Sequence, residues 1–132
     1  MSLMKNAWVL LVVASLSGLP VGCGGSNPKV EPQQAELSDI YDIYQHFVKS
    51  RQKAPTQMSD LTQKQYEGTS PGAVNSLKQG KYVVIFGVSG KDSSTVIAYE
   101  KDAATSGGAV LMADGRIKTM TADQLKAAAK VP

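Results

Sequence analysis

The residues with chemistry to offer are few in this chain and far apart. The only cysteine, Cys23, lies in the stretch "LPVGCGGSNP", directly after an apolar run without charge. A thiolate is a nucleophile and a metal ligand. With no second cysteine, Cys23 forms no intramolecular disulfide, and it lacks the several Cys or His that a thiolate zinc centre needs. The only histidine, His46, has no second His and no Cys beside it, and helical spacing turns it away from its neighbours' apolar stripe, toward solvent. Asp92, Asp102 and Asp114 fall on loops after or between expected strands. They are the candidate ligands for Ca2+, which takes six to eight oxygens, although their spacing follows no known calcium loop. "GVSGKDSS" (87–94) sets a glycine loop after a strand but lacks the G-x-x-x-x-G-K-[ST] spacing of a phosphate loop, and no helix follows it. No Ser/His/Asp, Cys/His or paired-carboxylate arrangement stands out. The expectation is a protein that is not an enzyme and that holds no cofactor and no metal.

What surrounds Cys23 says where the chain goes. Residues 1–5 carry a positive charge at Lys5, and Ala7 to Leu19, "AWVLLVVASLSGL", has none. That run is shorter than the roughly 20 residues a membrane-spanning helix needs, and it fits the apolar region of a secretory signal. Read as an ordinary secretory signal, the segment leaves Cys23 incidental. Its last residues, "PVGC", resemble the lipobox of bacterial lipoproteins: Val21, Gly22 and Cys23 match the last three places, and Pro20 stands where Leu is usual. The resemblance implies that residues 1–22 are removed as a signal peptide. The order implied is that the Cys23 sulfur first takes a diacylglycerol, cleavage follows Gly22, and the new amine takes an acyl chain such as palmitate. A single chain binds a bilayer marginally, at about 0.8 kcal/mol per buried methylene, and two or more anchor it stably. Gly24 in place of an Asp implies the outer rather than the inner membrane.

The 132 residues suit one domain, and 42% hydrophobic with 19% charged residues is ordinary for a globular protein. The formal charge of +3 becomes +2 once Lys5 leaves with the signal, since 13 Lys and Arg then face 11 Asp and Glu. Lys49, Arg51 and Lys53 are the only close basic group, and no basic stripe with interleaved aromatics marks a nucleic-acid surface. Residues 24–36, "GGSNPKVEPQQAE", have too little apolar content to pack and read as a flexible tether with a reach of about 20 Å.

A single body follows over 37–132. Leu37, Ile40, Tyr41, Tyr44, Phe47 and Val48 recur on one face of a helix, predicted from Leu37 to Lys53 with Ser38 as its N-cap and Ala54-Pro55 as its stop. The aromatic members read as core. A short turn of helix capped by Ser59 is expected within 56–68, and 69–80 reads as loop around the turn signal Pro71-Gly72. Strands are expected at 82–88, 95–100, 109–113 and 116–120, with a loop over 102–108. Asp114-Gly115 predicts a two-residue type I′ hairpin that pairs Met112 with Ile117 and Val110 with Thr119. Val110, Met112 and Ile117 then face the core, and Arg116 and Lys118 face water. A helix over 121–130 opens on a Thr121/Gln124 capping box. The fold class is α+β: a long amphipathic helix on a four-stranded antiparallel meander, closed by a short helix.

This order resembles the globular domain of pilins and pseudopilins. "VIAYEKDAATSGGAVLMADGRIKTMTADQL" is similar to the end of prepilin-type proteins that carry a His-X9-Asp-Gly motif. Asp114 and Gly115 match the Asp-Gly, and Ala104 stands at the His position. "RQKAPTQMSDLTQ" (51–63) resembles the linker after the pilin helix. The lipoprotein-like signal replaces the pilin assembly helix, so filament assembly through that helix is not implied. The resulting expectation is a periplasmic module tethered through lipid on Cys23 and binding another envelope protein, without nucleic acid. The alternative is a small domain that binds a ligand or Ca2+ with the loops around the sheet.

Overall fold

A computed structural model describes residues 31–129. The expected signal segment, Cys23 and the tether up to residue 30 lie outside the described residues. The first helix, α1 (Pro32–Arg51), opens five residues before Leu37 and takes residues 32–36 from the expected tether. Pro32 causes this: at the first helical position its missing N–H has no partner to lose, and its φ is preset. The Glu31 carbonyl accepts from the N–H groups of Gln34 (2.8 Å) and Ala35 (3.2 Å). Ser38 is therefore exposed within the helix and is not its cap. Leu37, Ile40, Ile43, Tyr44 and Phe47 are buried, and Tyr41 and Val48 half-buried. The helix closes on Gln52, whose φ of 54° makes it the only non-glycine residue with positive φ among the described residues.

Three short helices follow: α2 (Met58–Leu61), α3 (Lys64–Glu67) and α4 (Pro71–Lys78). Ser59 does not cap α2. Asp60 does, its Oδ2 accepting from the backbone N–H groups of Thr56 (2.8 Å) and Gln57 (3.3 Å). These bonds favour the charged carboxylate and lower its pKa. The expected loop over 69–80 holds α4, because Pro71 opens a helix as readily as it opens a turn. Ala73, Val74 and Leu77 are buried, and α4 lies against α1.

The chain then forms an antiparallel four-stranded sheet in sequential order: β1 (Tyr82–Val84), β2 (Val96–Glu100), β3 (Gly108–Met112) and β4 (Ile117–Met120). β1 stops well short of Val88. The Tyr44 hydroxyl donates to the Val88 carbonyl (2.7 Å), and the Gly87 N–H donates to the Pro55 carbonyl, which turns the chain from the sheet toward α1. Between β2 and β3, residues 102–106 are not all loop: α5 (Ala103–Ser106) makes one helical turn. The terminal helix α6 (Ala122–Ala129) has its reciprocal cap. Thr121 N–H donates to Gln124 Oε1 (2.9 Å), and Gln124 N–H donates to Thr121 Oγ1 (3.2 Å).

Both faces of the sheet are covered. Tyr82, Val84, Ala98, Leu111 and Ala113 pack with α1 and α4. Val96, Tyr99, Val110 and Met112 pack on the other side with Ala103 of α5 and Leu125 of α6. The β3–β4 hairpin is one residue out of the expected register. Leu111 pairs with Ile117, Val110 with Lys118 and Ala109 with Thr119. The type I′ turn needs positive φ at both Asp114 and Gly115, and only Gly115 has it (φ 88°). The loop is instead three residues long. Gly115 N–H donates to the Met112 carbonyl, and Met112 N–H donates to the Arg116 carbonyl. A one-residue slip moves a strand's side chains to the opposite face. Ile117 accordingly packs on the α1 side, away from Val110 and Met112. Arg116 and Lys118 are exposed, as expected. In β2 the ladder shifts between Val96 and Ala98, so Ile97 is an extra, bulged residue.

Candidate functional site

A groove of about 730 Å3 opens at the foot of α1. Three segments wall it. The first turns of α1 supply Pro32, Gln33 and Glu36; the α4–β1 connection supplies Gly80 to Tyr82; the corner from β2 into α5 supplies Glu100 to Ala103. Sheet register brings the last two together, since Tyr82 pairs with Glu100 across β1 and β2. Opposite residues in antiparallel strands point to the same face, here the face α1 covers.

The floor is a buried phenol between two carboxylates. Tyr82 is 4% exposed, and its hydroxyl donates to Glu36 Oε2 at 2.7 Å. Glu100 Oε2 accepts the Ala109 N–H at 2.9 Å. Gly108 makes that reach possible, because a Cβ there would lie 2.6 Å from Glu100 Oε2. Glu36 and Glu100 are half-buried, and neither forms an ion pair among the described residues. Tyr82 holds its proton well above the ordinary phenol range. Burial is the largest cause, followed by the hydrogen bond to Glu36 and the charges of Glu36 and Glu100. Such a phenol is a poor general base near neutral pH. The arrangement offers carboxylate acceptors to a donor or cation.

The candidates from the sequence do not gather here. Asp102 sits at the groove's edge, beyond β2. Asp92 and Asp114 lie at the opposite end of the sheet, about a strand length (~17 Å) away. Each serves its own turn: Asp92 Oδ1 accepts from the Ser94 N–H and hydroxyl, and Asp114 accepts from Arg116 through Oδ1 and Oδ2. The Asp92 carboxyl is held below its usual pKa by the Ser94 bonds. Among the described residues no group of three His, Cys, Asp or Glu is placed to hold a metal ion. His46 is exposed, and its Nδ1 lies 3.2 Å from the Tyr66 hydroxyl, with the rings edge to face. Cys23 lies outside the described residues. Sequence reading missed Glu36, Tyr82 and Glu100 as a group. They stand 46 and 18 positions apart, and only the strand pairing unites them.

No protein-family model matches the chain, and neither the curated proteins nor the solved structures give a significant match. No described helix is long and apolar enough to cross a membrane.

Proposed function

We propose that the chain is a lipid-anchored protein of the bacterial cell envelope whose body acts as a non-enzymatic module for binding another envelope protein. The observation that carries this reading is the position of Cys23. The only thiol in the chain closes an apolar, lipobox-like segment and stands nine residues ahead of Pro32. A diacylglycerol on the sulfur with an acylated amine supplies the two or more chains that stable anchoring needs. The pilin-like reading belongs to the same proposal: α1 takes the part of the long amphipathic helix, with Leu37, Ile40 and Tyr44 toward the sheet. An open groove lined with carboxylate acceptors suits recognition of a donor or cation.

Mass spectrometry of the protein recovered from membranes tests the anchor. The expected mature form begins at Cys23 and carries a diacylglycerol and an amide-linked acyl chain. A water-soluble mature form that starts elsewhere overturns the anchor. Crosslinking in intact membranes tests the module, and repeated recovery of the uncrosslinked chain alone overturns it.

A further inference from the structure

From the groove at the foot of α1, together with the short reach of the chain ahead of it, we infer a docking surface for a basic segment of a protein that lies close to the same membrane as the anchor. This rests on the lipid attachment at Cys23 proposed above. Charge is the first argument. Glu36 and Glu100 are half withdrawn from water, and neither is in an ion pair among the described residues. Each spends one oxygen on a neighbour, Glu36 on Tyr82 and Glu100 on Ala109. Half-desolvated carboxylates gain most from a hydrogen-bonded cationic partner. Lys81 and Lys101 stand at the rim but are exposed, and each is one residue out of step with the inward pair Tyr82 and Glu100. The groove continues into an acidic side of α1: residues 31–48 contain Glu31, Glu36, Asp39 and Asp42 and no Lys or Arg. Asp39 holds its proton more tightly than usual, through burial first and then the neighbouring Asp42 and Glu36. An anionic lipid surface is repelled by such a foot, whereas a segment bearing Arg or Lys is drawn to it.

Position is the second argument. Eight residues, 24–31, separate Cys23 from Pro32, which itself lines the groove. The nine Cα–Cα steps between them span at most about 32 Å. The groove is at the end of the body where the described chain begins. A partner that meets it therefore presents its basic segment near the bilayer rather than deep in the aqueous compartment.

The test uses the full lipidated chain in vesicles of zwitterionic lipid and two probes, an Arg-containing peptide and the same peptide with citrulline in place of each Arg. Anisotropy of the labelled peptides reads binding. The Arg peptide is expected to saturate and the citrulline peptide to bind at least about tenfold more weakly. The E36Q/E100Q double variant, which keeps acceptors for Tyr82 and Ala109, is expected to lose about tenfold, and D92N, at the far end of the sheet, nothing. D102N, at the groove edge, gives a second reading if the double variant melts early. The Arg peptide on a lipid anchor in the same vesicles is expected to occupy the groove at lower concentration than the free peptide. Equal binding of both peptides, no saturation at millimolar Arg peptide, or unchanged binding in both E36Q/E100Q and D102N overturns the proposal. Crosslinks to an envelope protein that persist unchanged in E36Q/E100Q also overturn the groove and leave the wider reading standing. Peptide binding without any crosslinked partner keeps the groove and removes the wider reading.

Discussion

Tyr82 and Tyr44 are both buried phenols that hold α1 to the strand side of the fold, the first through Glu36 and the second through the Val88 carbonyl. Burial raises the pKa of both. An unfolded chain loses a phenol proton near pH 10. Below that pH both states keep the proton. Above it the unfolded state releases first, so stability falls as pH rises. The melting temperature is thus expected to hold from neutral pH to about 10 and to drop beyond it. In Tyr82→Phe the drop is shallower, because only the Tyr44 part remains. At neutral pH the same variant loses the bond to Glu36, about 1–2 kcal/mol, readable by denaturant titration. Gly115→Ala is expected to cost more than an ordinary surface change, about 1–3 kcal/mol. Its φ of 88° strains any side chain, and the new Cβ would lie 2.9 Å from Tyr41 Cε1. Asp114-Gly115 was legible as a turn from sequence, but not as which turn. Asp-Gly serves a two-residue loop and, with glycine in the left-handed place, a three-residue one.

At the scale of elements, an apolar stripe announced one helix, though not where it begins, and a reciprocal cap announced another. Leu37, Ile40, Tyr44 and Phe47 mark α1, and Thr121 with Gln124 marks α6. α4 was not announced, since a proline followed by a glycine looks the same at the start of a helix as in a turn. The groove was invisible for another reason: its floor comes from α1, β1 and β2, and no local pattern encodes a pairing between distant segments. α6 is the cover of the sheet's second face through Leu125, which is 2% exposed. Leu125→Ala is expected to cost about 2–5 kcal/mol, measured by chemical denaturation, with amide exchange rising first in β4 and α6. Thr121→Ala removes half of the cap and is expected to cost about 1 kcal/mol.

For the whole molecule, the covered faces explain why β3 reads as a continuous apolar run, "AVLMA", rather than an alternation. A strand buried on both sides gives no hint of which residue looks which way. The fold class was therefore readable while the facing of Val110 and Ile117 was not. The bulge at Ile97 adds a matter of parity. Val96 and Tyr99 are three steps apart and yet share the α6 side, an odd count that only a supernumerary residue allows. β2 thus has one amino acid to spare. Excising Ile97 leaves Val96, Ala98 and Tyr99 looking the way they do now, at the loss of one well-packed side chain. Excising Val110 from β3, which has no surplus, inverts everything on one side of the cut. A shortened β2 is expected to yield a chain that still melts cooperatively, at a lower temperature, and a shortened β3 one that does not.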